Sequence, residues 1–354
     1  MKNFACSACG VRVYFDNGLC IACGRSLGFD ADTLSLAALE PVGQDGSLFR
    51  KIRIGQSGKE AVVEVRYCEN AMHGACNWLV PHDAPGGLCK ACACNRTIPN
   101  LSEAGRLDAW REVENAKKRL VYSLLRFGLP LDGGIEHSGT PLTFDFMARA
   151  VTGHINGVIT LDVLEADAVE RERRRQFLDE PYRSLLGHLR HESGHYYWML
   201  LVDRDAVIEE FRSVFGDERQ DYQAALSAYY TDGAPPNWAE NHVSAYASAH
   251  PWEDWAETWA HYLHMVDAVE TAEAEGMEPR AAGLLFGAAW PFKKYDVYQQ
   301  VSFDSLMERW VPLSLAMNNI SRSLGHHDFY PFVISAGARA KLALVHRLVR
   351  DGIR

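Results

Sequence analysis

The sequence predicts a multidomain chain: a small β-rich domain over residues 1–97, then a mostly α (α+β) domain over residues 98–354. Three observations predict this division. All nine cysteines lie before residue 95, and the remaining 260 residues have none. The charge divides at the same place: residues 1–97 carry ten Lys/Arg and nine Asp/Glu, so the net charge of −10 belongs to the second part. The apolar pattern also changes, from short alternating runs to helical spacing. At about 100–200 residues per domain, 354 residues suit two domains.

Composition bounds the function classes. With 47% hydrophobic and 23% charged residues the chain is globular rather than disordered. The longest apolar runs, around residues 196–202 and 281–292, fall short of the roughly 20 needed to cross a bilayer, so no membrane role is expected. Negative net charge makes nucleic acid an unfavoured partner. No charged-then-apolar leader precedes Cys6, so a cytoplasmic location is expected. In a reducing compartment, clustered cysteines read as metal ligands rather than disulfides.

In the front end, Cys6-Ser-Ala-Cys9-Gly and Cys20-Ile-Ala-Cys23-Gly are two C-x2-C knuckles with ten residues between them. In such a turn backbone N–H groups reach the thiolates, and glycine permits the tight conformation. Residues 11–15 alternate as a strand, and Asp16-Asn17-Gly18 reads as a hairpin turn. Together these predict a zinc ribbon with a first four-cysteine site, Cys6, Cys9, Cys20 and Cys23. Cys68, Cys76, Cys89 and Cys92 form a second set, with Cys89-Lys-Ala-Cys92 a clean knuckle and the first pair more loosely spaced. Cys94 is spare, and His73 and His82 are weaker substitutes for the cysteines. Four thiolates fill the zinc shell, so both sites are expected to be structural. Residues 52–54 and 61–66 read as further short strands. A β-rich unit this small needs its metals to fold.

In the back half, residues 95–102 read as a proline-containing connector ending in a helix cap at Ser102. Leu107, Trp110, Val113, Leu120 and Leu124 recur at helical spacing, predicting a helix over 103–127 that Gly128 and Pro130 end. Residues 157–163 read as a strand entered by an Asn156-Gly157 turn. From Glu165 onward the pattern is mostly helical, interrupted at Pro235-Pro236 and by a loop over 322–331.

His191-Glu192-Ser-Gly194-His195 is an H-E-x-x-H motif. On a helix, positions i and i+4 face the same way, so both imidazoles can take one metal ion, with the glutamate poised to take a proton from a water beside it. Asp179, Glu180 and Pro181 read as the start of that helix. Gly194 weakens a helix interior by about 1 kcal/mol and predicts close approach of another backbone. A third ligand is expected downstream, where Glu253, Glu257 and His261 stand at i, i+4 and i+8 on a helix otherwise rich in tryptophan and alanine. Unpaired, such groups are expensive to bury, and a metal with its histidines would pair them. A carboxylate completes a His/His/Glu set with one position left open. His261 is the second choice as ligand. His188 is too far from His195 to share an ion, about 10 Å along a helix, and reads as a core residue or one that supports the ligands from behind. His154 could stand near the cleft, since zincins bind peptides along an edge strand, but reads rather as a turn histidine, and His326-His327 as loop surface.

The segment from Tyr246 through Glu253-Asp-Trp-Ala-Glu257 resembles the ligand helix of lethal-factor-type gluzincins. That resemblance implies Glu253 as third zinc ligand, Glu257 as a partner orienting a histidine, and Tyr246 as the group stabilising an oxyanion. The chain as a whole resembles a bacterial family in which an N-terminal zinc ribbon precedes a zincin-like zinc-binding metallopeptidase domain. The resemblance rests on the two cysteine sets, Asn95-Arg-Thr-Ile-Pro99, residues 180–188, the H-E-x-x-H, residues 253–264 and Asp328-Phe-Tyr-Pro-Phe332. It implies one catalytic and two structural Zn2+ ions, a protein or peptide substrate, and Glu192 as general base. The ribbon would be structural, or would recognise the substrate or a protein partner. The alternative is a non-enzymatic protein that binds protein or nucleic acid and holds only structural metals.

Overall fold

The computed structural model describes residues 2–43, 46–52, 64–133, 139–177, 184–277, 296–299 and 302–352. The front end is built of short strands: β1 (Phe4–Ala5), β2 (Arg12–Val13), β3 (Leu27–Asp30), β4 (Ser35–Val42), β5 (Leu48–Ile52), β6 (Glu64–Tyr67) and β7 (Leu79–Pro81). β3 to β7 form an antiparallel five-stranded sheet in sequence order. The remaining strands, β8 (Asn95–Thr97), β9 (Thr143–Met147), β10 (Gly153–Ile155) and β11 (Val158–Asp162), form a mixed sheet in the order β10-β11-β9-β8. The helices are α1 (Arg106–Phe127), α2 (Ala168–Phe177), α3 (Leu185–Leu201), α4 (Ile208–Phe215), α5 (Tyr222–Asp232), α6 (Pro251–Ala274), α7 (Phe303–Ser323) and α8 (Ala336–Asp351). The chain is thus a β-rich zinc-ribbon region followed by a mostly helical α+β part.

Several local expectations change. The strand predicted over 11–15 shrinks to β2, and residues 16–18 do not join two paired strands. The pairing instead runs across each knuckle, Phe4 opposite Val13 and Leu19 opposite Ser26, because the turn carrying the thiols is itself the hairpin tip. The strand predicted over 61–66 is β6, and residues 61–63 lie outside the described residues, as do 53–54. Residues 95–97 are no loose connector: β8 pairs in parallel with β9, so the chain leaves the cysteine region already inside the second sheet. α1 starts three residues later than expected, with Gly105 at its N-cap, while the Ser102 hydroxyl donates to Asn100 Oδ1 at 2.8 Å. Gly128 ends α1 in the left-handed conformation that lets glycine close a helix. Asn156 and Gly157, both at positive φ, make the tight β10–β11 hairpin.

Two cores meet on α1. One side of the helix contributes Trp110, Val113, Leu120 and Leu124 to the main helical core. The other contributes Val121 and Tyr122 to the ribbon core, where the Tyr122 ring lies 5.7 Å from Phe15 and 6.2 Å from Phe29. The Tyr122 hydroxyl then donates to Glu270 on α6 at 3.0 Å. No helix among the described residues is long and apolar enough to cross a membrane.

Candidate metal centre

The cysteines converge as two groups, Cys6 with Cys9, Cys20 and Cys23, and Cys68 with Cys76, Cys89 and Cys92. Sγ–Sγ separations are 3.8 Å for Cys6–Cys23, 3.7 Å for Cys9–Cys20 and 3.7 Å for Cys76–Cys89. A tetrahedral ion with bonds of about 2.3 Å requires edges of about 3.8 Å, so both groups fit zinc. The loose Cys68–Cys76 spacing is taken up by a short 3-10 turn, Glu69–His73, closed by Gly74 in the left-handed region. Cys94 stays outside both groups. Its Sγ turns to the Lys90 carbonyl at 3.3 Å, and burial pushes its thiol up to about 11. His73 and His82 are not among the converging residues.

The third group is His191, His195 and Glu253. It is made by α3 lying antiparallel against α6. Ser184 caps α3, its hydroxyl accepting from the Gly187 N–H at 3.0 Å, while the start predicted at residues 179–181 lies outside the described residues. His250 caps α6 and Pro251 opens it, where the missing proline N–H is no loss. The axial offset is set at Gly194. A β-carbon there would lie 2.9 Å from Ala256 Cα, so the close approach expected from that glycine is present. Indole N–H groups pin the contact: Trp255 donates to the Gly194 carbonyl at 2.8 Å and Trp259 to the Ser193 hydroxyl at 3.1 Å.

This offset brings Glu253 opposite both histidines, with His191 Nε2 at 3.0 Å and His195 Nε2 at 3.6 Å from its two oxygens. The separations bracket the roughly 3.3 Å edge of a tetrahedral ion with N and O ligands. Glu253 is 1% exposed and has no Lys or Arg partner among the described residues, an arrangement that asks for a cation. Glu257, one turn on, takes His191 Nδ1 at 2.7 Å and is held in turn by the Ser244 hydroxyl at 2.6 Å. Burial works to raise the Glu257 carboxyl, but the His191 hydrogen bond and charge, the His261 charge and the Ser244 hydrogen bond together outweigh it and bring it down to about 2. Burial would likewise lower His191, and the two carboxylates instead hold it well above its ordinary value. The site is therefore organised around positive charge. Two imidazoles and a carboxylate with an oriented second carboxylate behind them fit a zinc ion.

Other expected residues fall as follows. Glu192 follows His191 on α3 and is 8% exposed. Tyr246 lies on a short 3-10 turn before α6, its ring 6.0 Å from that of His191, and burial drives its hydroxyl pKa well up. His261 is not brought to the group: one turn beyond Glu257, its Nδ1 meets the Tyr330 hydroxyl at 2.7 Å, and burial pushes it down to about 4. Two residues of the Asp328–Phe332 motif thus meet His261, Tyr330 through its hydroxyl and Phe332 with its ring 4.4 Å away. His188 turns to Glu165 at 2.6 Å rather than to any of the three ligand candidates, because it lies a turn before His191, beyond the part of α3 that faces Glu253. His154 serves the β10–β11 turn and also lies beside His195. It is buried on the edge strand β10 with its ring 6.2 Å from that of His195, and its Nε2 accepts the Gly157 N–H at 3.0 Å. Sequence reasoning missed Tyr222 of α5, whose hydroxyl donates to Glu253 Oε1 at 2.7 Å. Nothing in its local sequence marks it.

An H-E-x-x-H helix laid against a glutamate-bearing helix, behind a ribbon with two four-cysteine groups, defines a two-part zinc-binding protein. The chain belongs to the family described as "Putative zinc-binding metallo-peptidase", whose model matches residues 106–348, and a zinc-ribbon domain model matches residues 3–103. Uncharacterized proteins of Mycobacterium bovis and of two Mycobacterium tuberculosis strains are 38% identical to it over 356 residues, covering 99% of this chain and 96% of each relative. No solved structure matches the chain.

Proposed function

We propose that the chain is a gluzincin-type zinc peptidase, with His191, His195 and Glu253 as ligands of the catalytic ion and the two four-cysteine groups holding structural zinc. The observation that carries this reading is the meeting of buried Glu253 with both H-E-x-x-H imidazoles, with no Lys or Arg partner for it among the described residues. A zinc ion bound there supplies Lewis-acid chemistry and lowers the pKa of a water to about 7. Glu192 takes the proton of the attacking water and delivers it to the leaving amine. Tyr246 donates to the carbonyl oxygen as negative charge develops there. Glu257, fixed by Ser244, keeps the His191 ring oriented and its Nε2 free for the ion. The ribbon is a structural module of the same body, and a reducing cytoplasmic compartment suits eight thiols reserved for metal.

Metal analysis of the full chain is expected to return three zinc ions, one for each group, with the ion of the His/His/Glu group first to yield to a chelator. Glu192→Gln is expected to keep all three and to lose cleavage of a peptide library by roughly 10²–10⁴-fold. Cleavage undiminished in that variant would remove Glu192 as the base and with it the reading of the site.

A further inference from the structure

We propose that Tyr222 is a positioning residue for the catalytic metal: its phenol engages one oxygen of Glu253 and so biases that carboxylate toward binding the ion through the other. The inference rests on the His/His/Glu reading of the site. Its starting observation, the contact of Tyr222 with Glu253, lies outside the H-E-x-x-H motif. Tyr222 comes from α5, a helix with no buried residue of its own, yet its hydroxyl reaches inward to Glu253 Oε1 at 2.7 Å. Glu253 Oε2 is the oxygen at 3.0 Å from His191 Nε2. Each oxygen thus faces an imidazole, Oε1 that of His195 at 3.6 Å and Oε2 that of His191, but only Oε1 also takes a phenol.

The phenol is held in place. Its ring is edge-on to His250 at 5.3 Å and to Trp252 at 5.6 Å, the residues on either side of Pro251 at the start of α6. His250 Nδ1 accepts the Trp252 N–H at 3.1 Å, which leaves the ring proton on Nε2 facing the Gln220 carbonyl at 3.2 Å. One histidine thus caps the ligand helix and anchors the chain just before Tyr222. A hydrogen bond to one carboxylate oxygen draws charge from it and fixes the plane of the group. The expected consequence is monodentate ligation, with one coordination position left for water.

The test uses full-length protein and Tyr222→Phe, which keeps the ring and removes only the hydroxyl. Zinc affinity is measured by chelator competition. Co2+ spectra are taken on both proteins, and the bands of the four-cysteine sites are removed by subtracting the spectrum of the His195→Ala chain. Tyr222→Phe is expected to bind the third ion roughly 10- to 100-fold more weakly, with the two cysteine-bound ions unaffected. Its difference spectrum is expected to weaken toward that of a higher coordination number. A wild-type chain with three ions whose Tyr222→Phe variant keeps both affinity and spectrum overturns the role of Tyr222 alone. A phenolate-to-metal charge-transfer band in the Cu2+-loaded wild type, absent from the variant, overturns it in favour of direct ligation by Tyr222. A wild-type chain that binds only the two cysteine-held ions overturns the His/His/Glu reading, and the role of Tyr222 falls with it.

Discussion

Gly194 bears more of the architecture than its size suggests. Every group that meets across α3 and α6 depends on how far apart the helices stand and how they are offset, and a β-carbon at 194 would meet Ala256 Cα at 2.9 Å. Backbone cannot swing aside as a flexible side chain can. Gly194→Ala is expected to lower stability by about 1–3 kcal/mol through overpacking and to weaken the third ion as well, because the shift moves Glu253 away from both imidazoles. Thermal unfolding with metal analysis checks both effects, and an alanine variant as stable as wild type would contradict the offset argument. The motif His191-Glu192-x-x-His195 was plain in the sequence because its geometry lies within one helix turn. Tyr222 was not, because its partner is 31 residues away and only the path of the chain between α4 and α6 brings them together.

The element that ties the halves together is β8. Its residue Asn95 donates to Glu114 Oε1 at 2.6 Å and accepts from Lys117, while Lys117 pairs with Glu114 at 2.9 Å in full burial. Cys92 of the second four-cysteine group lies 3.8 Å from the same carboxylate. Burial raises the Glu114 carboxyl, and the Lys117 charge offsets it only in part. Lys117→Met strips that compensation and is expected to destabilise by about 3–5 kcal/mol. The double variant with Glu114→Gln is expected to be milder than Lys117→Met alone, as a double-mutant cycle by denaturant unfolding measures. Additive losses would mean that the pair does not act as one. The sequence suggested a connector here because Pro99 and Asn100 are turn formers. It could not register that the three residues Asn95–Thr97 find a strand partner in β9, almost 50 residues later.

Across the whole molecule, the ribbon and the helical part share α1. Tyr122 is fully buried among ribbon aromatics while its hydroxyl reaches Glu270 on α6. A chain beginning at residue 98 would lack β8 and expose the Val121–Tyr122 face of α1. Such a chain is expected to aggregate or to lose cooperative unfolding, whereas the full chain is expected to unfold in a single calorimetric transition. Independent folding of the truncated chain, with its own sharp transition, would contradict this. The change of composition near residue 97 is real in the sequence, but packing across α1 couples what composition separates.

The sequence by itself determined what short-range geometry controls. C-x2-C spacing gave the first cysteine group and one pair of the second, i and i+4 spacing gave the histidine pair, and helical and alternating periods gave a β-rich front before a helical back. Residue spacing left open which of Glu253, Glu257 and His261 meets both histidines; a resemblance pointed to Glu253, and the physical reason for that choice lies in the tertiary structure. All three share one face of α6, and only the offset fixed by Gly194 against Ala256 distinguishes them: it sets Glu253 against both Nε2 atoms, Glu257 behind His191, and His261 a turn too far along. A spacing along one helix is written in its own residues, but the offset between two helices is set by side chains far apart in the chain that come into contact only once it has folded.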